Sequence, residues 1–425
     1  MTEHGALSVL AGVQPGMQDL LSKLLADIEL QKNDANSSVP FTQVTTIHFA
    51  RFVLLPERTD VTGKNIPAQL AFTTNYDGAL QPHLEELLTQ AGPGLWKVFS
   101  CCTQFPGGVY NQHDLANYLL QHSKKPATFY VGVGYRSVQQ IRQERLLREE
   151  IERFSDTQFA SFANKSAIDI RNAIKEHIAG IPSFAWALQP EPEPGLAWKL
   201  KHYGKLVGGV LLLLVLAIAL LPLLVLWLLL IVIDEIRDKP QPNIVTKEHL
   251  RALTDRETGM VQAQFSAVGN VKPGFLRRNT IQFLLWLTNF LAPYLFSKGK
   301  LSGIPTVHFA RWLIINEGRQ MLFLSNFDGN SESYLTDFIN IAAKQLTLLF
   351  SHTINYPRTY LMLFGGAKDA KKFMEWARHH QVITNVWYTA NKEVTVKNVF
   401  SNSRIRKGLS GQFTEKEATQ WLSLI

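Results

Sequence analysis

Residues Leu206 to Ile233 read LVGGVLLLLVLAIALLPLLVLWLLLIVI, 28 residues without a charge. At about 1.5 Å per residue such a helix is roughly 42 Å long, more than the roughly 30 Å of a bilayer core, so the stretch marks a membrane segment. Pro222 divides it into apolar runs of 16 and 11 residues, each short for a crossing. Two topologies follow: one tilted, kinked span, or a hairpin that enters and leaves by the same face. Flanking charge does not choose between them, because Lys199, Lys201 and Lys205 precede the segment while Arg237, Lys239 and Lys247 follow it.

A chain of 425 residues is too long for one ordinary core, which predicts two domains. With 46% hydrophobic and 18% charged residues there is no sign of disorder. The formal net charge of +8 suits an anionic partner. No Lys/Arg tract, zinc-ligand spacing or recognition motif accompanies it, so membrane lipid is expected and nucleic acid is not. The only cysteines, Cys101 and Cys102, are adjacent and poorly placed to pair. Reduced thiols imply a reducing compartment, which puts the soluble parts on the cytoplasmic side. The N-terminus, MTEHGALSVLAG, lacks a basic segment leading into an apolar run, so no cleaved secretory signal is expected.

On either side of the membrane segment the sequence repeats. Leu7-Ser8 and GVQPG (Gly12 to Gly16) return as Phe265-Ser266 and NVKPG (Asn270 to Gly274). TIHFAR (Thr46 to Arg51) returns as TVHFAR (Thr306 to Arg311), and QLAFTTNYDG (Gln69 to Gly78) as QMLFLSNFDG (Gln320 to Gly329). PATFYVGVG (Pro126 to Gly134) is matched to PRTYLMLFG (Pro357 to Gly365). Four blocks in one order predict a tandem duplication.

Each copy reads as strand, helix, strand, strand, helix, strand. The first helix covers Met17 to Leu30 in one copy and Arg278 to Phe296 in the other, and the second of the two middle strands ends in an Asp-Gly turn in each copy. The order is βαββαβ, so the predicted fold class is α+β: tandem ferredoxin-like repeats forming a pseudo-twofold α+β barrel, with the membrane segment between them. The expected divisions are residues 1–188 (first repeat with a helical extension), 189–205 (a linker containing QPEPEPG), 206–233 (membrane segment), 234–259 (polar connector) and 260–425 (second repeat). The first copy carries a longer loop at Pro56 to Pro67 and about twenty extra residues around Gln104 to Ser123. The apolar helix Thr280 to Phe296 is expected to lie in the membrane interface. Pairing of the two sheets would place both copies on one side of the membrane.

The candidate site residues are His48, Arg51 and Asp77 in the first copy and His308, Arg311 and Asp328 in the second. Along each strand, alternation sends the histidine and the arginine to opposite faces. The plain structural expectation is an arginine at a sheet margin paired with a carboxylate, and a histidine hydrogen-bonded beside the core. The alternative is a pocket. Asp77 and Asp328, at strand ends, suit turn and helix-capping chemistry, or general acid/base work. The connector Val245 to Gln264 gathers His249, Asp255, Arg256, Glu257, Gln262 and Gln264, either as a solvated link or as the border of a pocket. Phosphate-loop, dinucleotide, serine-hydrolase and zinc-protease motifs are absent from the sequence.

Tandem halves with an Asp-Gly element resemble the dimeric α+β barrel group, which includes dye-decolorising peroxidases and chlorite dismutases. The peroxidases of that group hold haem in the C-terminal half, with a histidine ligand and a distal Asp and Arg, the Asp within Gly-x-x-Asp-Gly. Here Ser325 and Thr74 stand where that first glycine would be, and none of His308, His352, His379 and His380 has a context that marks it as the ligand. The resemblance implies a redox enzyme, with haem as its cofactor, which for a membrane-anchored chain would act on a lipophilic substrate. The rival reading is a non-catalytic scaffold or assembly module that binds a protein or lipid. Whether the chain forms a homo-oligomer is left open by the sequence.

Overall fold

The computed structural model describes residues 2–191, 194–256, 260–296 and 299–425. The first half contains β1 (His4–Gly12), α1 (Gln18–Gln31), β2 (Ile47–Leu55), the small hairpin β3 (Arg58–Thr59) and β4 (Asn65–Ile66), β5 (Gln69–Asp77), α2 (Leu80–Phe99), α3 (Gln112–Gln121) and β6 (Thr128–Val131). Helices α4 (Val138–Thr157), α5 (Phe159–Phe162) and α6 (Ala167–Ala179) follow, then α7 (Leu196–Ala219), α8 (Leu221–Arg237) and α9 (Lys247–Thr254). The second half contains β7 (Gln262–Asn270), α10 (Phe275–Leu295), β8 (Val307–Ile315), β9 (Gln320–Asp328), α11 (Ser331–Phe350), the hairpin β10 (Thr359–Tyr360) and β11 (Phe364–Gly365), α12 (Ala370–His380), β12 (Val386–Thr389), α13 (Val396–Gly408) and α14 (Glu415–Leu422). The fold is mixed α+β with antiparallel sheets.

Two four-stranded sheets dominate, in the orders β1-β5-β2-β12 and β6-β8-β9-β7. Each therefore takes three strands from one half and its last strand from the other. Tyr388 pairs with Ala50, and Tyr130 with Ala310. Before joining the foreign sheet, each exchanged segment touches the first strand of its own half. Ser123 bridges Val9 and Lys124 donates to the Ser8 carbonyl, while Gln381 bridges Ala267 and Val382 donates to the Ser266 carbonyl. Backbone groups at the sheet edges, which would otherwise invite aggregation, are thereby partly satisfied within the chain.

Strand β2 is buried along almost its whole length because both of its faces are covered. Ile47, Ala50 and Phe52 join the core under α1 and α2, whereas Val53 and Leu55 meet Leu313, Ile315, Leu322 and Leu324 of the other sheet. Strand β8 repeats the arrangement, with Ala310 and Trp312 towards α10 and α11. The layers run helices, sheet, sheet, helices, and the long uniform apolar runs of the HFAR strands follow from having no solvent face. Helices α4 and α6 pack against α13 and α14 around Leu147, Ile174, Ile405 and Trp421.

The fourth block of the repeat needs correction. PRTYLMLFG is not the last strand: it forms the β10/β11 hairpin, and the exchanged strand is VWYT at Val386–Thr389. The segment around Gln104 to Ser123 is not an extra either, since α12 occupies in the second half the place that α3 holds in the first, just ahead of the exchanged strand. Aromatic β-formers on both segments made the choice between them ambiguous. The longer middle loop of the first half is real and forms β3 and β4. Of the linker QPEPEPG, Pro192 and Glu193 lie outside the described residues.

Helix α7, with 24 residues, is long and apolar enough to cross a membrane, and none of its residues is buried. It stops at Leu220, and α8 begins at once with Pro222 in its first turn. Both helices are tied to α10. Tyr294 donates to the His202 carbonyl at 3.2 Å, and Gly209 lies so close to Phe290 that a Cβ there would fall 2.4 Å from its ring. Trp227 donates to Thr280 at 2.8 Å, and Arg277 pairs with Asp234. From Gly209 to Trp227 the chain has about 27 Å of helix, while Phe290 to Thr280 spans about 15 Å, so the segment arches away with its apex at Leu220. Helix α10 packs on β6 and α11 through Ile281 and Leu285, and leaves Phe275, Phe283, Trp286 and Leu295 exposed.

Candidate functional site

A β-bulge sits at the histidine of each HFAR strand, where pairing slips between Ile47 and Phe49 and between Val307 and Phe309. One extra residue breaks the alternation that would have separated histidine from arginine. His48 thus packs 5.1 Å from the Phe309 ring and His308 5.4 Å from Phe49, across the gap between the sheets. His48 Nε2 lies 2.8 Å from Asp77 Oδ1, and His308 Nε2 lies 2.6 Å from Asp328 Oδ1. The second oxygen of each aspartate accepts a backbone N–H at a helix start: Val138 of α4 for Asp77 and Val396 of α13 for Asp328, both at 2.8 Å. Helix capping is therefore observed, but on remote helices. The helices that directly follow, α2 and α11, begin at Ala79 and Asn330.

The arginines are not at a sheet margin and have no carboxylate partner among the described residues. Arg51 donates to the carbonyls of Phe265 (3.1 Å) and Ser325 (2.8 Å), to Ser266 Oγ (3.0 Å) and to Asn326 Oδ1 (2.5 Å). Arg311 donates to the Leu7 and Thr74 carbonyls (2.7 and 2.8 Å) and to Ser8 Oγ (2.8 Å). Each guanidinium thus binds the first and third strands of the opposite half. Burial pushes both down to about 9, and for Arg51 the charge of Arg311 adds to the effect. Carbonyl dipoles replace the expected counter-ion.

The space between the histidines is a void of about 10 Å³, lined by His48, Phe49, Gln262 and His308. It has room for about one water, whereas a cofactor-sized ligand needs at least about 300 Å³. Haem does not fit at His308. Two other second-half histidines are held in packed surroundings, where burial pushes His352 down to about 3 and His380 to about 4, while His379 is exposed and contacts the Ile244 carbonyl at 2.8 Å. Burial also pushes the Cys102 thiol up to about 12, which makes it inert. In the connector, His249 contacts the Gln381 carbonyl (3.0 Å) and Arg256 donates to the Thr384 carbonyl (2.7 Å). These groups clasp the segment ahead of β12 rather than bordering a cavity, and Glu257 lies outside the described residues.

One residue of the site was not among the sequence candidates. His4 pairs in register with Asp77, its Nε2 lying 3.4 Å from Asp77 Oδ1 and 3.0 Å from the Arg136 carbonyl. Its ring is 5.1 Å from that of His48. Burial first, then the neighbouring His48, push His4 down to about 4 against the opposing pull of Asp77, so it is neutral. In the second half Gln262 faces Asp328 in the same register. The repeat contained this signal, since His4 precedes Leu7-Ser8 by the spacing at which Gln262 precedes Phe265-Ser266.

His4 also lines a cavity of about 800 Å³ where α7 leaves the body. Its walls carry Lys201, Lys205, Trp198, Tyr135 and Tyr294, with Glu3 as the acidic contributor. Among the described residues neither lysine has a carboxylate within ion-pair distance. An adjoining cavity of about 770 Å³ differs, because its cations are matched: Arg136 and Arg406 by Glu144, Lys407 by Glu191. The buried Tyr130 hydroxyl, on the wall of the first cavity, has no hydrogen-bond partner among the described residues. Comparison of the chain with protein-family models, with curated proteins and with solved structures finds no match.

Proposed function

We propose that this chain is a monotopic membrane protein that holds an anionic amphiphile at the root of a re-entrant helical hairpin. In this reading the two halves are tandem ferredoxin-like repeats, closed by exchange of their last strands into a pseudo-twofold α+β barrel, the architecture of the dimeric α+β barrel group. The observation that carries it is the placement of both arms of the apolar arch on one helix, α10, with the unpaired Lys201 and Lys205 beside the first arm.

Strand exchange supports the topology, because β6 and β12 can reach their partners only if both halves occupy one compartment. The uncharged parts of the arms agree: Leu206 to Leu220 and Leu221 to Ile233 each give about 20 Å of helix, short of a roughly 30 Å core, and α7 reaches spanning length only by including Lys199, Lys201 and Lys205. The exposed Phe275, Phe283 and Trp286 under the arch suit the headgroup level, where aromatic rings are favoured. Two ammonium groups at that depth attract a phosphate or carboxylate head, with Tyr130 as a further hydrogen-bonding group. The buried, reduced cysteines suit the cytoplasmic side.

Co-sedimentation with phosphatidylcholine vesicles, with and without phosphatidylglycerol, tests this reading. Binding to both, tighter with the anionic lipid, is expected, and Lys201→Glu with Lys205→Glu should erase the preference without releasing the protein. Equal binding to both vesicles by the unaltered protein would overturn the headgroup site.

An enzyme acting on a lipophilic substrate is the second reading, favoured by an imidazole on the cavity wall, His4, that stands beside His48 and Asp77. A Soret band in the purified protein would support the haem version, and a colourless protein from haem-replete cells would exclude it.

A further inference from the structure

We propose that His4, His48 and Asp77 form a binding site for a divalent transition-metal ion at the wall of the hairpin-root cavity. His48 Nε2 and Asp77 Oδ1 are 2.8 Å apart, His4 Nε2 and Asp77 Oδ1 are 3.4 Å apart, and all three ligand atoms lie within 4.8 Å of one another. A metal with bonds of about 2.1 Å needs ligand atoms roughly 3.0 Å apart in octahedral and roughly 3.4 Å apart in tetrahedral geometry. The two histidine–aspartate distances already match that range, and rotation of the imidazoles closes the third, which is at most 4.8 Å.

The three residues come from adjacent strands whose register is fixed by backbone pairing, so their spacing is a property of the sheet. Asp77 is oriented by the Val138 N–H on its other oxygen, which leaves Oδ1 towards the two imidazoles. Phe309 packs against both rings, at 5.8 Å from His4 and 5.1 Å from His48. Orientation of ligands by such outer contacts is what separates a metal site from a chance cluster.

The two halves differ here in a way that capping does not explain. In the second half the His308–Asp328 pair caps α13 without a second histidine, and Gln262 spends its amide on the Asn391 and Val394 carbonyls (3.0 and 2.6 Å). His4 is therefore surplus to the capping role. Metal binding replaces its hydrogen bond to the Arg136 carbonyl. Two imidazoles and one carboxylate suit Zn²⁺, Co²⁺ or Fe²⁺ better than Mg²⁺ or Ca²⁺. Three protein ligands leave at least one position for water or a ligand from the cavity that His4 lines. The site stands whether or not that cavity takes a lipid headgroup.

The test is titration of the full-length, detergent-solubilised, untagged protein with Co²⁺ after chelator dialysis, followed by visible d–d absorption and by elemental stoichiometry. One equivalent per chain is expected. His4→Gln, which copies the second half, should lower the affinity at least about 10-fold with an unchanged melting curve, and His4→Ala should do the same. His202→Gln, on the same cavity wall but outside the cluster, should leave binding intact. Absence of stoichiometric Co²⁺ and Zn²⁺ binding, or undiminished binding in a folded His4 variant, would overturn the proposal.

Discussion

Arg51 and Arg311 cross the space between the two sheets in opposite directions, each binding the strands of the half to which it does not belong. Four acceptors surround Arg51 and three surround Arg311, and none is a carboxylate. The HFAR arginine thus joins the halves from inside, where a planar fork of donors reaches several acceptors at once.

Arg51→Lys is expected to destabilise the protein by about 2–4 kcal/mol, because one ammonium cannot satisfy acceptors spread over β7 and β9 and leaves buried carbonyls unmatched. Chemical denaturation measures the loss. Hydrogen exchange should show it as faster opening of the second-half sheet, although the substitution lies in the first. An effect confined to β2 would contradict the cross-sheet role.

Asp328→Ala should cost about 1–3 kcal/mol and raise exchange at the first turn of α13, because the aspartate holds both His308 and the Val396 N–H. Thr395→Ala, which removes the local capping box of the same helix, should raise exchange at that turn and leave the environment of His308 unchanged. Histidine chemical shifts distinguish the two variants.

His352 is fully buried, and its ring nitrogens have no hydrogen-bond partner among the described residues. Burial first, then the charges of Arg277 and Lys272, lower it from 6.5 to about 3. Between those values the unfolded chain binds the extra proton, so stability falls as pH drops below 6.5, by about 1.4 kcal/mol per unit for this group. His352→Leu should therefore melt close to the unaltered protein at pH 8 and at a clearly higher temperature at pH 5. An equal difference at both pH values would contradict the assignment.

Replacing Leu206 to Ile233 by a flexible linker should give a soluble protein whose two four-stranded sheets are unchanged. The arms are rooted near Tyr294 and Arg277, about 26 Å apart along α10. A Gly/Ser linker of about 20 residues has a root-mean-square span of about 25 Å, so closure is not strained. Retained circular dichroism and loss of vesicle binding are expected. A misfolded or still membrane-bound product would argue against an arch held to the body only through α10 and, near Ile231, the β10/β11 hairpin.

Much of this organisation was legible in the sequence. The apolar segment and the matched blocks located the strands β1, β2 and β5 and their counterparts β7, β8 and β9, because period, turn chemistry and apolar length are local properties. The last strand of the second half was misplaced, because PRTYLMLFG and NVWYTA both carry aromatic β-formers and only the pairing partner separates them. The expected partners of the candidate residues were not those the structure shows: the arginines meet carbonyls, and the histidines meet the strand-end aspartates. Strand alternation assumes an uninterrupted ladder, and the bulges at His48 and His308 leave no mark in composition. His4 was overlooked because a lone histidine near a terminus acquires meaning only when β1 is laid in register against β5.

The sequence by itself determined the α+β class, the recurring sequence blocks and an apolar stretch long enough to cross a membrane, since each rests on hydrophobicity or spacing along the chain. Only the tertiary structure decided that the halves exchange their last strands, that the arginines find carbonyls instead of carboxylates, and that His4 meets His48 and Asp77. Those outcomes depend on contacts between residues far apart in the chain, and backbone pairing, which carries no side-chain signature, fixes them.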